Sequence, residues 1–160
     1  MPKIIPLTQN KIAIVDAPDF EWLNQWKWHT IKARRTCYAA RADYSHRPRR
    51  YLYMHQVIMT PPSGMEVDHI NGNGLDNRRI NLRLCTHHQN CMNNRKERGR
   101  SRRYPSKFKG VSWHTQSGKW RARIQGEHLG CFNYEIEAAL AYNEAARRRF
   151  GEFANLNETS

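Results

Sequence analysis

Within 23 residues the chain places a carboxylate, an imidazole and two carboxamides, at Asp68, His69, Asn81 and Asn90. Hard divalent ions such as Mg²⁺ or Mn²⁺ prefer carboxylate and amide oxygens. Phosphodiester hydrolysis needs a base for water and a cation against the charge that develops on the leaving oxygen. The residue types therefore predict that His69, whose ordinary pKa lies near neutrality, takes the proton. Asp68 and Asn90 are expected to hold one divalent ion, and Asn81 to orient the imidazole by fixing its tautomer. A second cluster, Cys85, His87, His88 and Cys91, falls within seven residues. Its spacing matches no regular finger and Cys37 and Cys131 are distant, so a structural zinc is not expected and the thiols read as reduced. His55 reads as a packed or hydrogen-bonded histidine rather than a ligand.

Such chemistry requires elements that return the chain on itself. Met65 to Ile70 reads as a strand ending in the Asp-His pair, and the loop 71–79 is rich in Gly and Asn, which tolerate positive φ. The alternation Ile80, Leu82, Leu84 predicts the return strand, and Thr86 is placed to cap a helix over 87–94. The product is a β-β-α unit. Adjacent Asp68 and His69 would point to opposite faces of a regular strand, so the strand is expected to end or distort there. Upstream, Lys11 to Val15 and Thr36 to Ala42 read as strands, Asp16 to Leu23 as a capped helix start, and Tyr51 to Met59 as a short helical element.

The Asp68-His69 pair, Asn81 with its Leu-Arg successors, and Thr86-His87-His88-Gln89-Asn90 resemble the HNH nuclease family. They are particularly similar to its phage and intron-encoded homing endonucleases. The resemblance covers 51–94 well and the N-terminal segment loosely. It implies that His69 is the general base, that Asp68 and Asn90 bind one divalent metal, and that Asn81 supports the site. Asn90 stands where other members carry a histidine, which leaves His87 and His88 without an assigned role.

The 160 residues carry 27 Lys plus Arg against 14 Asp plus Glu, a formal net charge of +13, and 39% hydrophobic residues. The charge is uneven: +6 over 1–50, zero over 51–94, +5 over 95–106 and +2 over 107–160. The stretch 95–106 has little apolar content and reads as a basic linker whose Arg100 and Arg102 follow a phosphate backbone. No apolar run approaches the roughly 20 residues of a membrane span, and the N-terminus lacks a secretory signal's apolar region. A soluble cytoplasmic protein is expected, in the host cell if phage-encoded, with double-stranded DNA as partner and no membrane. No protein partner is indicated; a monomer with one metal site would make one cut.

Residues 107–160 read as three short strands and a helix, with Lys119, Arg121, Arg123 and Gln125 on one strand face and Trp120, Ala122 and Ile124 on the other. Lys109-Gly110-Val111, Gly118-Lys119-Trp120, Leu129-Gly130-x-Phe132, Ala138-Ala139-x-Ala141-Tyr142-Asn143 and Asn155-Leu156-Asn157 resemble the AP2/ERF DNA-binding domain. That resemblance implies a sheet in the major groove, with Lys109, Trp113, His114, Arg121, Arg123 and Gln125 facing DNA. Ser112 and His114 stand near positions that are arginine in the plant family, which weakens the likeness in sequence preference. The expected class is α+β: a ββα-metal nuclease unit plus a three-stranded antiparallel sheet packed on one helix. The expected domains are 1–50, 51–94, a linker over 95–106, and 107–160. The function expected is a site-preferring, metal-dependent DNA endonuclease. The alternative is a transcriptional or architectural DNA-binding protein with an inactive nuclease unit. A role on RNA is suggested by charge alone.

Overall fold

The computed structural model describes residues 1–45, 47–48, 50–92 and 106–159. Two compact units divide the chain, Met1–Asn90 and Cys91–Ser160.

The first unit opens with an antiparallel hairpin, β1 (Lys3–Pro6) on β2 (Ile12–Val15), followed by α1 (Ala17–Leu23). A meander follows, β3 (His29–Lys32), β4 (Cys37–Asp43) and β5 (Arg50–Tyr53), and runs directly into α2 (Met54–Met59). The hairpin β6 (Glu66–His69) and β7 (Leu82–Cys85) and the helix α3 (His87–Met92) complete the β-β-α unit. One apolar core, including Ile5, Val15, Leu23, Trp28, Met54, Ile58, Val67 and Leu82, draws on elements from both sides of residue 50. That core runs across the boundary expected at residue 50.

Three local expectations change. Asp16 makes no side-chain cap on α1; its carboxylate instead accepts from the Arg79 amide at 2.8 Å. The Tyr51 to Met59 segment is strand before it is helix. Ile80 lies in a 3₁₀ turn over Arg79–Asn81 and is 82% exposed, so the return strand starts at Leu82, whose side chain is buried. The loop before that turn is tied to β2 by Ile14 N to Leu75 O at 2.9 Å and Asn77 N to Ile14 O at 2.7 Å. Arg79 adds two bonds of 2.8 Å to the buried Asp19 carboxylate.

In the second unit β8 (Val111–His114), β9 (Lys119–Ile124) and β10 (Glu127–Phe132) form an antiparallel sheet in the order β10-β9-β8. The 16-residue α4 (Glu135–Phe150) packs against this sheet, burying Ala138, Ala139, Tyr142, Ala145 and Ala146 with Val111, Ala122 and Ile124. Alanines on the inward face let the helix lie close. Gly110 sits at φ +75°, and a Cβ there would lie 2.1 Å from the Tyr142 ring. Asn157 closes the module: it accepts from Lys109 N at 2.6 Å, donates to Lys109 O at 3.0 Å, and exchanges two bonds with the Asn143 amide.

Among the described residues no helix is long and apolar enough to cross a membrane, and all four cysteines are free thiols.

Candidate active site

Strand alternation sorts β6 into two sides, with Glu66 and Asp68 on one and Val67 and His69 on the other. The strand stays in register through His69 and ends after it, so Asp68 and His69 keep the opposite sides of a regular strand with no distortion between them, and both catalytic candidates are buried, Asp68 at 6% and His69 at 5% exposure.

On the carboxylate side, Arg83 lies across the register from Asp68 and donates twice to Asp68 Oδ2, from Nε at 2.9 Å and Nη2 at 2.7 Å. Glu66 accepts from Asn90 Nδ2 at 2.7 Å on one oxygen and lies 2.9 Å from His87 Nδ1 on the other. These two contacts hold the Glu66 carboxyl below the usual carboxylate range. Asn90 reaches the strand because α3 starts where expected: Thr86 Oγ1 accepts from Gln89 N at 3.3 Å, and Thr86 N donates to Gln89 Oε1 at 2.8 Å, a reciprocal cap. With its Nδ2 committed to Glu66, the Asn90 amide is left with its oxygen as a donor to a cation.

On the imidazole side, His69 Nε2 meets Asn77 Oδ1 at a long 3.4 Å. A proton on Nε2 satisfies that carbonyl and leaves the lone pair on Nδ1, the form a general base needs. Burial pushes the His69 pKa down, opposed by the Asn77 contact and the charges of Asp68 and Asp76. His55 packs edge-to-face on His69 with centroids 4.9 Å apart, and Tyr38 lies 5.8 Å from His69. Burial, then the Asp68 charge, raises the Tyr38 pKa. Burial also lifts the Cys85 thiol to about 11, which suits an inert core residue.

Asn81 does not orient the imidazole, as the sequence led us to expect. Its side chain accepts from Asn71 N at 3.0 Å and donates to Asp76 O at 2.7 Å, closing the loop that carries Asn77. The contact on the ring belongs to Asn77, four residues earlier, because the 3₁₀ turn takes Asn81 to the base of the loop. Two further residues escaped sequence reasoning. Glu66 stands one strand period before Asp68, so alternation could have found it. Arg83 stands opposite Asp68 in the hairpin, which only the register reveals.

For a divalent metal, the chemistry of the donors is favourable: Asp68, Asn90 and Glu66 offer oxygen alone, the preference of a hard ion. Among the described residues no group of three or more His, Cys, Asp or Glu is placed to hold a metal. Any set built here therefore needs the Asn90 amide, and the Arg83 guanidinium must yield its place on Asp68.

In the second unit, paired residues share a sheet face, so Ser112 and His114 join Lys119, Arg121, Arg123, His128 and Cys131 on the side away from α4. Among the described residues, Lys119, Arg121 and Arg123 form no ion pair, and Arg121 Nε is buried without a hydrogen-bond partner. His114 lies 2.8 Å from Ser117 Oγ. Trp113 does not belong to this face: it pairs with Trp120 in register, edge-to-face at 5.1 Å, on the helix side. Gln125 leaves the strand, in a turn at φ +46°, and Lys109 lies in the turn before β8. Arg100 and Arg102 lie outside the described residues.

The family model described as HNH endonuclease matches residues 59–92. Protein 3.8 of Escherichia phage T7 is 32% identical over 111 residues, covering 67% of this chain and 88% of that protein. The uncharacterized HNH endonuclease L560 of Acanthamoeba polyphaga mimivirus is 31% identical over 112 residues, 68% of this chain and 56% of that protein. The chain thus spans just over half the length of the mimivirus relative. No solved structure gives a significant match.

Proposed function

The chain belongs to the HNH endonuclease family, and on that premise we propose that it is a metal-dependent, site-preferring endonuclease of the homing type acting on double-stranded DNA. The observation that carries this reading is the two-sided end of β6. A buried imidazole with Nε2 3.4 Å from Asn77 Oδ1 lies on one side, and the oxygen donors Asp68 and Asn90 lie on the other. His69 Nδ1 takes the proton of the attacking water, Asn77 keeps the ring in the required tautomer, and Asn81 holds the loop that carries Asn77. Asp68 and Asn90, with Glu66 positioning the Asn90 amide, would hold one Mg²⁺ or Mn²⁺. When bound, such an ion offsets negative charge on the scissile phosphate and leaving oxygen. One active site per chain makes a nick the product expected of a monomer.

The second unit, a three-stranded sheet on one helix, is proposed to be an AP2/ERF-like module that positions the nuclease. His114, Lys119, Arg121 and Arg123 face DNA from the sheet, and Lys109 and Gln125 from its turns. Arg100 and Arg102 of the linker are proposed to follow phosphates. The cations of β9 support this, since positive side chains that form no ion pair among the described residues suit an anionic surface.

A DNA-binding protein without cleavage is the second reading, favoured by the engagement of Asp68 with Arg83. Supercoiled plasmid and source-genome DNA incubated with Mg²⁺, Mn²⁺ or EDTA separate the two. Nicked or linear product that depends on metal is expected; binding without a cut under every ion would favour the second reading.

A further inference from the structure

We propose that His55 is a positioning residue for the His69 base, a buried polar ring where packing alone would be served by a hydrocarbon one. The inference rests on the reading of His69 given above. His55 lies on α2, whose other buried side chains, Met54 and Ile58, are apolar. It is 8% exposed, its ring is 4.9 Å from that of His69, and Tyr38 and Tyr53 enclose it at 5.4 and 5.6 Å. Its Nδ1 is buried with no hydrogen-bond partner among the described residues.

A buried polar atom without a partner is destabilising, and a phenylalanine would fill much the same space without that cost. Local choices that work against stability collect where function needs them. The same feature recurs on the other neighbour of the base, since Asn77, fully buried, also leaves its Nδ2 without a partner among the described residues. Two orphaned polar groups thus flank the ring that must accept a proton in an enclosed aromatic cluster. Positive charge developing on His69 there is stabilised by fixed dipoles beside it, which hydrocarbon cannot supply. Burial keeps His55 itself neutral, so it acts as such a dipole and as a wall against which the His69 ring stays on Asn77.

The test is single-turnover cleavage of supercoiled plasmid in Mg²⁺ by the full chain carrying His55→Phe or His55→Gln, with melting temperatures measured alongside. For His55→Phe, the maximal rate should fall at least about tenfold, a fraction of the roughly 100-fold or more that a general base supplies. Its half-saturating concentration should stay within about twofold and its melting temperature should hold or rise, because an orphaned polar atom has been removed. His55→Gln, which restores polarity without the ring, should cleave faster than His55→Phe. A smaller fall in His55→Phe, a loss confined to the half-saturating concentration, or His55→Gln no faster than His55→Phe would overturn the inference. Should His55→Phe not fold, His55→Leu takes its place beside His55→Gln, and the same fall in rate and the same order of the two variants decide. His69→Ala separates the premise from the inference: retained cleavage there removes the base itself, whereas an inactive His69→Ala beside a fully active His55→Phe removes only the role of His55.

Discussion

In the proposed mechanism His69 and its two neighbours concentrate the chemistry at one point of the chain. His69→Ala should keep DNA affinity and lose cleavage by at least about 100-fold, the lower range for removing a general base, read from plasmid nicking beside a binding titration. Near-wild-type turnover would take His69 out of the mechanism. The buried histidines also set an acid limit on stability. The folded-state pKa of His55 lies at about 3, below its ordinary 6.5, because burial and the nearby His69 disfavour the charged ring, and His69 is shifted the same way. Between those values the unfolded chain binds more protons than the folded one, so stability is fully present above about 6.5 and is lost as pH falls toward 3. Urea unfolding across that window should show the decline, and His55→Phe should flatten it by one proton. At this scale Asp68, His69 and Asn90 stood out as candidates because their spacing carried the motif. Asn77 was not, since one asparagine among several in a loop of Gly and Asn reads as a turn former until the fold turns its amide onto the ring.

The β6–β7 hairpin and α3 were legible as elements because their apolar alternation, their Gly- and Asn-rich loop and their Thr cap all agree. Residue Ile80 shows where periodicity misleads: three apolar residues at period two predict strand, but the Arg79 ties to Asp16 and Asp19 draw the first into a 3₁₀ turn and leave it exposed. Trp113 failed for the opposite reason. An aromatic beside a basic strand suggests base contact, yet the antiparallel register, unreadable without the turn geometry, pairs it with Trp120 under the sheet. The second unit offers a sharp test of element packing at Gly110, where positive φ and the Tyr142 ring both exclude a side chain. Gly110→Ala should destabilise that unit by more than about 1–3 kcal/mol, the cost of backbone strain alone, because the ring must also move. A thermal melt of the isolated variant unit against its wild-type counterpart would show it, and an unchanged midpoint would mean that the β8 turn rearranges freely.

At the scale of the molecule, residues 1–50 belong to the body that carries the site, since Ile5, Val15 and Trp28 share a core with Val67 and Leu82. A fragment beginning at residue 51 should therefore fail to show cooperative unfolding, although the motif is whole within it. The second unit has its own core, so removing 107–160 should leave Asp68, His69 and Asn90 in place and cutting slow but persistent, with site preference lost. On the proposed reading, the sheet face names the side chains that would carry that preference. If Arg121 or Arg123 reads a guanine edge with two hydrogen bonds, replacing it with alanine should cost about 1–3 kcal/mol on the target and relax preference at one base pair. If either contacts phosphate, the loss should be equal on target and scrambled duplexes and the salt slope should fall by about one unit, as expected for Arg100 and Arg102. Trp113→Ala, which strips the helix side of the sheet, should instead lower the melting temperature of the unit and weaken both duplexes together. Binding to the two duplexes across a salt series, with melting followed in parallel, distinguishes the three behaviours. Equal losses for Arg121 and Arg123 would reject base reading by this face, and an unchanged cleavage pattern after deletion would reject the unit as the positioning element.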